Sequence, residues 1–157
     1  MSSDDEFGGY NYYKEGLISK IEENIYLTDV HGGNNLDKLK EYGIGRIINL
    51  GDSSEHKIYK KFPNIEYLSI VIEDSESEDI YKWFEETSNF ISTAKSPVLI
   101  YCWAGISRSV TILIAYLISK KNMSYLTGYF KIKAIRPFIR PNIGFVNALY
   151  QIEKSLS

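Results

Sequence analysis

Two apolar runs with a short loop between them constrain the fold of this chain more than any other feature. Residues 96–118 read SPVLIYCWAGISRSVTILIAYLI, in which Arg108 is the one charged residue. The first run, Val98–Tyr101, has the length of a buried strand, whereas the longer run Val110–Ile118 favours a buried helix. A strand that leads directly into a helix predicts an α/β arrangement, with the loop at the carboxyl end of the strand.

Runs of the same two kinds alternate along the rest of the chain and predict a single α/β domain, a central, mainly parallel sheet flanked by helices. Strands are predicted near Ile25–Leu27, Arg46–Leu50, Glu66–Ile72 and Val98–Tyr101. Helices are predicted near Leu36–Tyr42, Asp79–Ala94, Ser109–Ser119, Ser124–Ala134 and Ile143–Lys154. With 157 residues, 44% of them hydrophobic, the chain can bury one sizeable core. Its acidic, Gly-containing start predicts a flexible tail over residues 1–18, with the domain over 19–157.

The loop between the two apolar runs has the composition of an anion-binding site. Backbone N–H groups at a helix start lack partners within the helix, and the helix dipole is positive there. Gly105 permits the positive φ that turns successive amides inward, and the planar guanidinium of Arg108 can hold two oxygens of a phosphate. The loop residues are therefore predicted to bind phosphate, and they are Trp103, Ala104, Gly105, Ile106, Ser107 and Arg108.

Cys102, the only cysteine of the chain, directly precedes this loop. A lone cysteine is often a buried packing residue, but a helix start and a nearby guanidinium favour the thiolate, which is a nucleophile. Ser109 can stabilise the sulfur when it leaves a phosphorylated intermediate, and Ser107 can brace the loop, although both also fit helix capping. The strand, the Cys-x5-Arg-Ser spacing and the helix together predict catalysis by Cys102 on a bound phosphate.

Cleavage of a phosphate ester also needs a proton donor for the leaving oxygen. The sequence IEDSESED crowds five carboxylates into one stretch, namely Glu73, Asp74, Glu76, Glu78 and Asp79. A solvated acidic loop explains them equally well, and the residues alone do not select one of them. The cations of KIKAIRPFIR, residues 131–140, are similarly open: they either flank the pocket or form a solvated face.

The loop CWAGISRS resembles the phosphate-binding signature of the cysteine-dependent protein tyrosine phosphatases, and within them of the dual-specificity phosphatases. The resemblance runs from about Ile21 to about Leu156 and includes NIYLTD, LKEYGIGRIINL, YLSIVIED, DIYKWFEETSNFI and IRPFIRPNIGFVNALYQIEKSL. Most members have histidine immediately before the cysteine, where this chain has Tyr101. Residues 19–157 are thus similar to a dual-specificity phosphatase catalytic domain.

The resemblance implies a protein phosphatase that acts on phosphotyrosine and on phosphoserine or phosphothreonine through a phosphocysteine, without metal or cofactor. It selects Asp74 as the general acid, because the family's acid follows a strand by a short step and precedes a helix similar to DIYKWF. Asp79 looks instead like a helix N-cap. Asn142 is expected to tether the phosphate loop or to cap the last helix, and Tyr101 to support the loop through its hydroxyl.

The resemblance implies phosphorylated proteins as partners, and a net charge of −2 gives no attraction to nucleic acid or to an anionic membrane. Val110–Ile118 is far shorter than the roughly 18 residues that span a bilayer, and Ser2 in place of glycine predicts no myristoyl anchor. One cysteine fits a reducing compartment, so the expected location is the cytoplasm, with the nucleus as a second one. The sequence leaves the oligomeric state open.

Other functional classes remain as alternatives. A phosphoinositide or RNA 5′-phosphatase with the same loop is disfavoured, because Trp103, Ala104 and Ile106 are neutral where lipid-directed relatives tend to carry lysines. A non-catalytic module that binds phosphoresidues stays open because of Tyr101, although Cys102 and Arg108 argue against it. A P-loop nucleotide enzyme is excluded, since the chain lacks G-x-x-x-x-G-K-[ST]. Arsenate-reductase-like chemistry would need further cysteines.

Overall fold

A five-stranded sheet forms the centre of the molecule, which a computed structural model describes over residues 13–157. Its strands are β1 (Ser19–Glu22), β2 (Ile25–Thr28), β3 (Arg46–Gly51), β4 (Glu66–Val71) and β5 (Val98–Tyr101). They lie side by side in the order β1, β2, β5, β3, β4. Only the β1–β2 pair is antiparallel, and every other pair is parallel. The predicted single α/β domain with a mainly parallel sheet is thereby confirmed.

Helices cover both faces of this sheet. They are α1 (Val30–Gly33), α2 (Leu36–Glu41), α3 (Ser53–His56), α4 (Phe84–Ser92), α5 (Arg108–Lys121), α6 (Tyr125–Ile135) and α7 (Ile143–Leu156), with a 3-10 turn at Tyr81–Trp83. The larger core lies between the sheet and α4 to α7, and the smaller core lies between the sheet and α1 and α2. Every residue from Arg108 to Ile118 is buried, because α5 is surrounded by the sheet and three other helices.

The sequence located the elements that contain an apolar run and missed those that do not. The four predicted strands and the five predicted helical regions are all present. The region predicted as a helix over Asp79–Ala94 is shorter, because its first turn is the 3-10 turn and α4 ends at Ser92. β1, α1 and α3 were not predicted, because their sequences SKIE, VHGG and SSEH are mostly polar or glycine and contain no apolar run.

The sheet register brings several strand ends to one place. Tyr101, the last residue of β5, pairs with Thr28 at the end of β2 and with Asn49 near the end of β3. The carboxyl ends of three parallel strands therefore lie together at one edge of the sheet, where ligands bind in folds of this kind. The loop that begins with Cys102 leaves β5 at this point and leads into α5.

Residues 13–18, the described part of the predicted tail, contact the domain. The hydroxyl of Tyr13 donates to the carboxylate of Asp29 over 3.3 Å, and its ring packs edge-on against Phe138. The amide of Gly16 donates to the same carboxylate, at 3.0 Å to Oδ2, and Leu17 O accepts from the hydroxyl of Thr28. Residues 13–18 thus contact the domain, and the rest of the predicted tail, residues 1–12, lies outside the described residues.

Candidate active site

The loop from Cys102 to α5 is fixed by hydrogen bonds that other segments of the chain donate to its carbonyl groups. These accept hydrogen bonds from three separate segments: Trp103 O from the amide of Val30 (3.1 Å), Ile106 O from the amide of Arg140 (2.9 Å) and Gly105 O from Nε of Arg136 (3.0 Å). Gly105 has φ +67, and a Cβ there would lie 2.6 Å from the carbonyl oxygen of Thr28, so only glycine fits.

The amide N–H groups of the same loop, unlike its carbonyl groups, have no hydrogen-bond partners within residues 13–157. Among the described residues, the backbone N–H groups of residues 103–108 donate no hydrogen bond. Unpaired N–H groups at the start of a long, buried helix form a site for an anion with several oxygens. The structure therefore brings together the phosphate-binding residues that the sequence predicts.

The sulfur of Cys102 lies beside Ser109, on the first turn of α5. Its Sγ is 3.1 Å from the hydroxyl of Ser109 and 3.5 Å from the amide of Ser109, which donates to it. Cys102 is the residue between β5 and the loop, and it is 2% exposed. The backbone and the side chain of Ser109 both lie against this sulfur, so Ser109 fixes the position of Sγ beside the phosphate-binding loop.

Arg108 is fixed along one side of its guanidinium. Its Nη1 and Nη2 donate to the two carboxylate oxygens of Glu55 over 2.7 and 3.2 Å, and Nη1 also donates to the carbonyl of Ile72 over 2.9 Å. Nε is buried and has no partner among the described residues. Burial acts to lower the pKa of Arg108, but the hydrogen bonds and charges of Glu55 and Cys102 outweigh it and raise the pKa, so the guanidinium stays charged.

Glu55 is a site residue that the sequence analysis missed. Its carboxylate accepts from the amide of Asp52 over 2.8 Å, while Asp52 accepts from the amide of Glu55, which is a reciprocal cap of α3. The spacing Asp-x-x-Glu in GDSSEH is the sequence signal for such a cap. It indicates the helix start, but not that the glutamate also reaches Arg108.

Asp74 is the one acidic candidate that contacts the loop. Its Oδ1 accepts from the hydroxyl of Ser107 and from Nδ2 of Asn142, both over 2.8 Å, and Asp74 itself is exposed. Among the described residues, Oδ2 has no hydrogen-bond partner, so one oxygen is anchored and the other is available for a proton. Asp79 instead accepts a long hydrogen bond of 3.4 Å from the amide of Lys82 beside the 3-10 turn, whose N-cap is Ile80 and not the predicted Asp79.

Asn142 performs both functions that the sequence left open. Its amide group holds Asp74, its backbone N–H donates to the hydroxyl of Ser107 over 3.1 Å, and its Oδ1 accepts from the amide of Phe145 over 2.9 Å. The last contact is the N-cap of α7. Ser107 therefore braces the loop against the residue predicted to be the acid, and Asn142 fixes both to a helix.

The position of Arg136 differs from both predictions for the basic segment 131–140. It neither flanks the pocket nor belongs to a solvated face, because it is fully buried. Besides Gly105 it binds the carbonyl of Leu17 (2.9 Å) and the hydroxyl of Ser19 (3.0 Å), and its guanidinium lies over the ring of Phe138. Burial lowers the pKa of Arg136, although the charge of Asp29 acts against this. Arg136 thus fixes the loop to the N-terminal segment.

Tyr101 is buried on the side of the sheet opposite to the larger core in which Cys102 packs. Its hydroxyl accepts from Nδ2 of Asn49 over 3.2 Å and does not contact the backbone of the loop. Its ring packs directly on Gly33, where a Cβ would lie 2.4 Å from a ring carbon. The loop support predicted for Tyr101 is therefore not a direct hydrogen bond.

We expect Tyr101 to make the protein sensitive to alkali. Burial raises the pKa of Tyr101 from 10.0 to about 12. Between these values the unfolded chain ionises at residue 101 and the folded protein does not, so stability present below pH 10 is lost as the pH rises toward 12. Tyr101→Phe should flatten this decline, by about 2 kcal/mol across the interval. Urea unfolding at a series of pH values measures it, with the more exposed Tyr150→Phe as control; an unchanged decline in Tyr101→Phe would contradict the assignment.

Trp103 forms an open rim beside the loop. Its side chain is 41% exposed and lies parallel to the ring of Tyr59, whose hydroxyl donates to the carbonyl of Leu50 over 2.8 Å. Burial, followed by the charges of Cys102 and Glu55, raises the pKa of Tyr59, so its hydroxyl stays neutral. The exposed indole and the exposed Asp74 leave the site open to a bulky ester.

Comparison with known proteins identifies the family to which this chain belongs. The family model described as dual specificity phosphatase, catalytic domain, matches residues 25–155, which is most of the chain. The chain belongs to the dual specificity phosphatase family. It is by this membership a cysteine-based protein phosphatase domain, and the chain's only cysteine is Cys102.

Individual relatives agree with the dual specificity phosphatase assignment. Dual specificity protein phosphatase 1 of Arabidopsis thaliana is 33% identical over 148 residues, which are 92% of this chain and 73% of that protein. Dual specificity protein phosphatase 6 of Homo sapiens is 35% identical over 84% of this chain, but this chain spans only 35% of its length. The crystal structure of human tyrosine phosphatase-like serine/threonine/tyrosine-interacting protein has a TM-score of 0.85 and 29% identity, covering 88% of this chain and 97% of that one.

Three further features of the described residues concern metal binding, membrane crossing and a cavity away from the loop. Within residues 13–157, no group of three or more histidine, cysteine or acidic side chains is arranged to hold a metal ion. None of the helices in that range combines the length and apolar character needed to cross a bilayer. A cavity of about 450 Å³ lies at the far end of α5 from the loop, beside Ser119 and Lys120, and does not include the loop residues.

Proposed function

We propose that this dual specificity phosphatase domain hydrolyses phosphotyrosine and phosphoserine or phosphothreonine in proteins through a phosphocysteine intermediate. The observation that carries the proposal is the set of unpaired donors around Cys102. The N–H groups of residues 103–108 and the buried Nε of Arg108 have no acceptor among the described residues. Buried donors without partners are costly, and the oxygens of a phosphate dianion would satisfy them together.

The first step transfers the phosphoryl group to sulfur. The thiolate of Cys102 attacks phosphorus in line, so the S–P bond forms as the bond from phosphorus to the ester oxygen breaks. The leaving oxygen takes the proton from Oδ2 of Asp74 and departs as a neutral alcohol or phenol. Arg108 and the loop amides stabilise the charge on the three remaining oxygens.

The second step returns the enzyme to its starting state. Asp74, now a carboxylate, accepts a proton from a water molecule, which attacks phosphorus and releases inorganic phosphate. The S–P bond breaks and sulfur leaves as a thiolate. The hydroxyl of Ser109, 3.1 Å from Sγ, is placed to donate a hydrogen bond to this departing sulfur. Atoms and charges balance without a metal or a redox partner.

The open rim supports action on both classes of phosphoprotein. Trp103 is partly exposed and Asp74 is exposed, so the rim of the site is open to solvent at these two residues and leaves room for esters of different size. A single free cysteine that must stay reduced to act fits a reducing compartment, which supports a cytoplasmic or nuclear location.

The discriminating experiment compares matched substrates under chelating conditions. The full chain is assayed with phosphotyrosine and phosphothreonine peptides of one sequence, a phosphoinositide and a 5′-phosphorylated RNA. Turnover of both peptides, above that of the lipid and the RNA, supports the proposal. Faster turnover of the lipid or the RNA would identify the alternative phosphatase class, and tight peptide binding without turnover would identify a binding module.

Arg108→Lys tests the planar contact with phosphate. An ammonium cannot bind Glu55 at two points and phosphate at two further points, so we expect kcat/KM for an aryl phosphate to fall by about 10²–10³-fold. Inorganic phosphate should also inhibit the variant less strongly. Steady-state kinetics measure both, with Arg140→Lys as a control, because the side chain of Arg140 is exposed. Kinetics of Arg108→Lys close to those of the wild type would leave Arg108 with a structural role only.

A further inference from the structure

The two edge strands of the sheet, β1 and β4, differ in how well they are protected against pairing with another chain. At the β1 edge the ladder is irregular between Lys20 and Glu22, and Glu22 forms an ion pair with Lys131 of α6 over 3.3 Å. Irregular pairing, charged side chains and a covering helix are the usual protection of an edge strand. The β4 edge, with sequence EYLSIV, has no charge after Glu66, no proline and no bulge.

The backbone of β4 offers a free set of hydrogen-bonding groups. The amides of Glu66 and Ile72 donate to Gly45 O and Gly51 O beside β3, both over 2.9 Å. Because strand groups alternate in direction, the N–H and C=O groups of Tyr67, Ser69 and Val71 face away from β3. Within residues 13–157 none of these groups has a partner, and Val71 is 64% exposed.

We propose that β4 pairs with β4 of a second copy of this chain, antiparallel and about a two-fold axis at Ser69. In this register Ser69 lies opposite the partner's Ser69, and Tyr67 lies opposite the partner's Val71. All three residues face the partner with their backbone groups, so each exchanges hydrogen bonds with the residue opposite. The two sheets join into one, and neither protomer keeps an open edge at β4.

The side chains complement each other in this register. Tyr67, Ser69 and Val71 project to the same face of the sheet, because side chains alternate along a strand. Each Val71 therefore packs against the partner's Tyr67, and a β-branched residue opposite an aromatic ring is a favourable cross-strand pair. The contact occurs twice, since the interface is two-fold, and it covers the exposed Val71 of both copies.

The charges at the two ends of β4 select a second copy in antiparallel orientation. Before the strand, Nζ of the exposed Lys61 lies 5.9 Å from the centre of the Tyr67 ring. After the strand, the exposed Glu73 follows Val71 by two residues and has no cation partner among the described residues. Antiparallel pairing places Lys61 beside the partner's Glu73 at both ends, whereas parallel pairing would place like charges together.

The test measures the mass of the full chain by sedimentation from micromolar to millimolar concentration. The wild type should approach twice its monomer mass of 18.1 kDa as concentration rises. Val71→Lys places a charge opposite Tyr67 twice and should weaken the dimer at least about tenfold, whereas Val71→Thr keeps the branched shape and should retain most of it. Far-UV circular dichroism confirms that each variant is folded.

A charge-reversal set tests the orientation separately. Lys61→Glu and Glu73→Lys should each weaken the dimer, because either change places like charges together, and the combined variant should restore it. The proposal is overturned by a wild type that stays monomeric to millimolar concentration, by a dimer that Val71→Lys leaves unchanged, or by a combined variant no stronger than the single ones. Since mass is the readout, the result is independent of phosphatase activity.

Discussion

Cys102→Ser is expected to abolish hydrolysis of every phosphate ester while leaving phosphate binding intact. A serine hydroxyl is not ionised near neutral pH, and no described base lies beside residue 102 to remove its proton, since the neighbouring group is the hydroxyl of Ser109. Loss of a nucleophile that acts together with its surrounding groups costs about 10⁴-fold or more. The loop amides and Arg108 do not depend on sulfur for their positions, so their affinity for phosphate should remain.

The measurement combines turnover with binding in the Cys102→Ser variant. Single-turnover assays with a phosphotyrosine peptide should show no released phosphate, and titration calorimetry with the same peptide should show binding of about wild-type strength. Ser109→Ala is the matched control: it removes the hydroxyl at 3.1 Å but keeps the nucleophile, and should slow breakdown of the phosphocysteine without preventing its formation. Substantial turnover in Cys102→Ser would mean that another group attacks phosphorus.

The sequence revealed the elements that carry the nucleophile because their signals are local. The strand, the loop and the helix around Cys102 are contiguous, and their apolar periods differ clearly. β1 escaped detection for the opposite reason: three of its four residues, SKIE, are polar, and they form a strand only by pairing with β2. Pairing is a tertiary contact, which propensity does not include.

The residues that hold the site could not be read from local pattern. Glu55 is 53 positions from Arg108, and Arg136 is 31 positions from Gly105. The sequence analysis left Arg136 either flanking the pocket or on a solvated face, and arginine is almost never fully buried unless it is paired. In the structure its partners are the carbonyls of Gly105 and Leu17, and only the folded chain shows that these lie together.

The sequence alone also could not choose among five neighbouring carboxylates, and the fold supplies a physical reason for Asp74. Ser107 and Asn142 both donate to its Oδ1, which ties this residue to the phosphate loop and to α7 at once. A carboxylate held in this way loses little entropy when it transfers a proton, and such positioning contributes strongly to rate. No such contact ties the other four carboxylates to the loop within the described residues, although Glu78 accepts from the amide of Glu73.

Asp74→Asn is therefore expected to lower turnover of phosphotyrosine and phosphothreonine peptides by about 10²–10⁴-fold, the usual contribution of a general acid. Asparagine keeps the size of the side chain and an oxygen that Ser107 and Asn142 can bind, but it has no proton to give to the leaving oxygen. Peptide affinity should survive. The defect should shrink for an activated aryl phosphate, whose leaving group is already stable as an anion.

Two variants separate the proton donor from the charge of the acidic loop. Glu73→Gln and Asp79→Asn each remove one negative charge close to Asp74, and neither residue contacts the phosphate loop. Both should keep kcat close to that of the wild type. Rates are compared across a series of aryl phosphates that differ in leaving-group acidity, for each variant under the same conditions. If either control lost as much activity as Asp74→Asn, or if the Asp74→Asn defect were the same for every leaving group, the proton would come from a different residue.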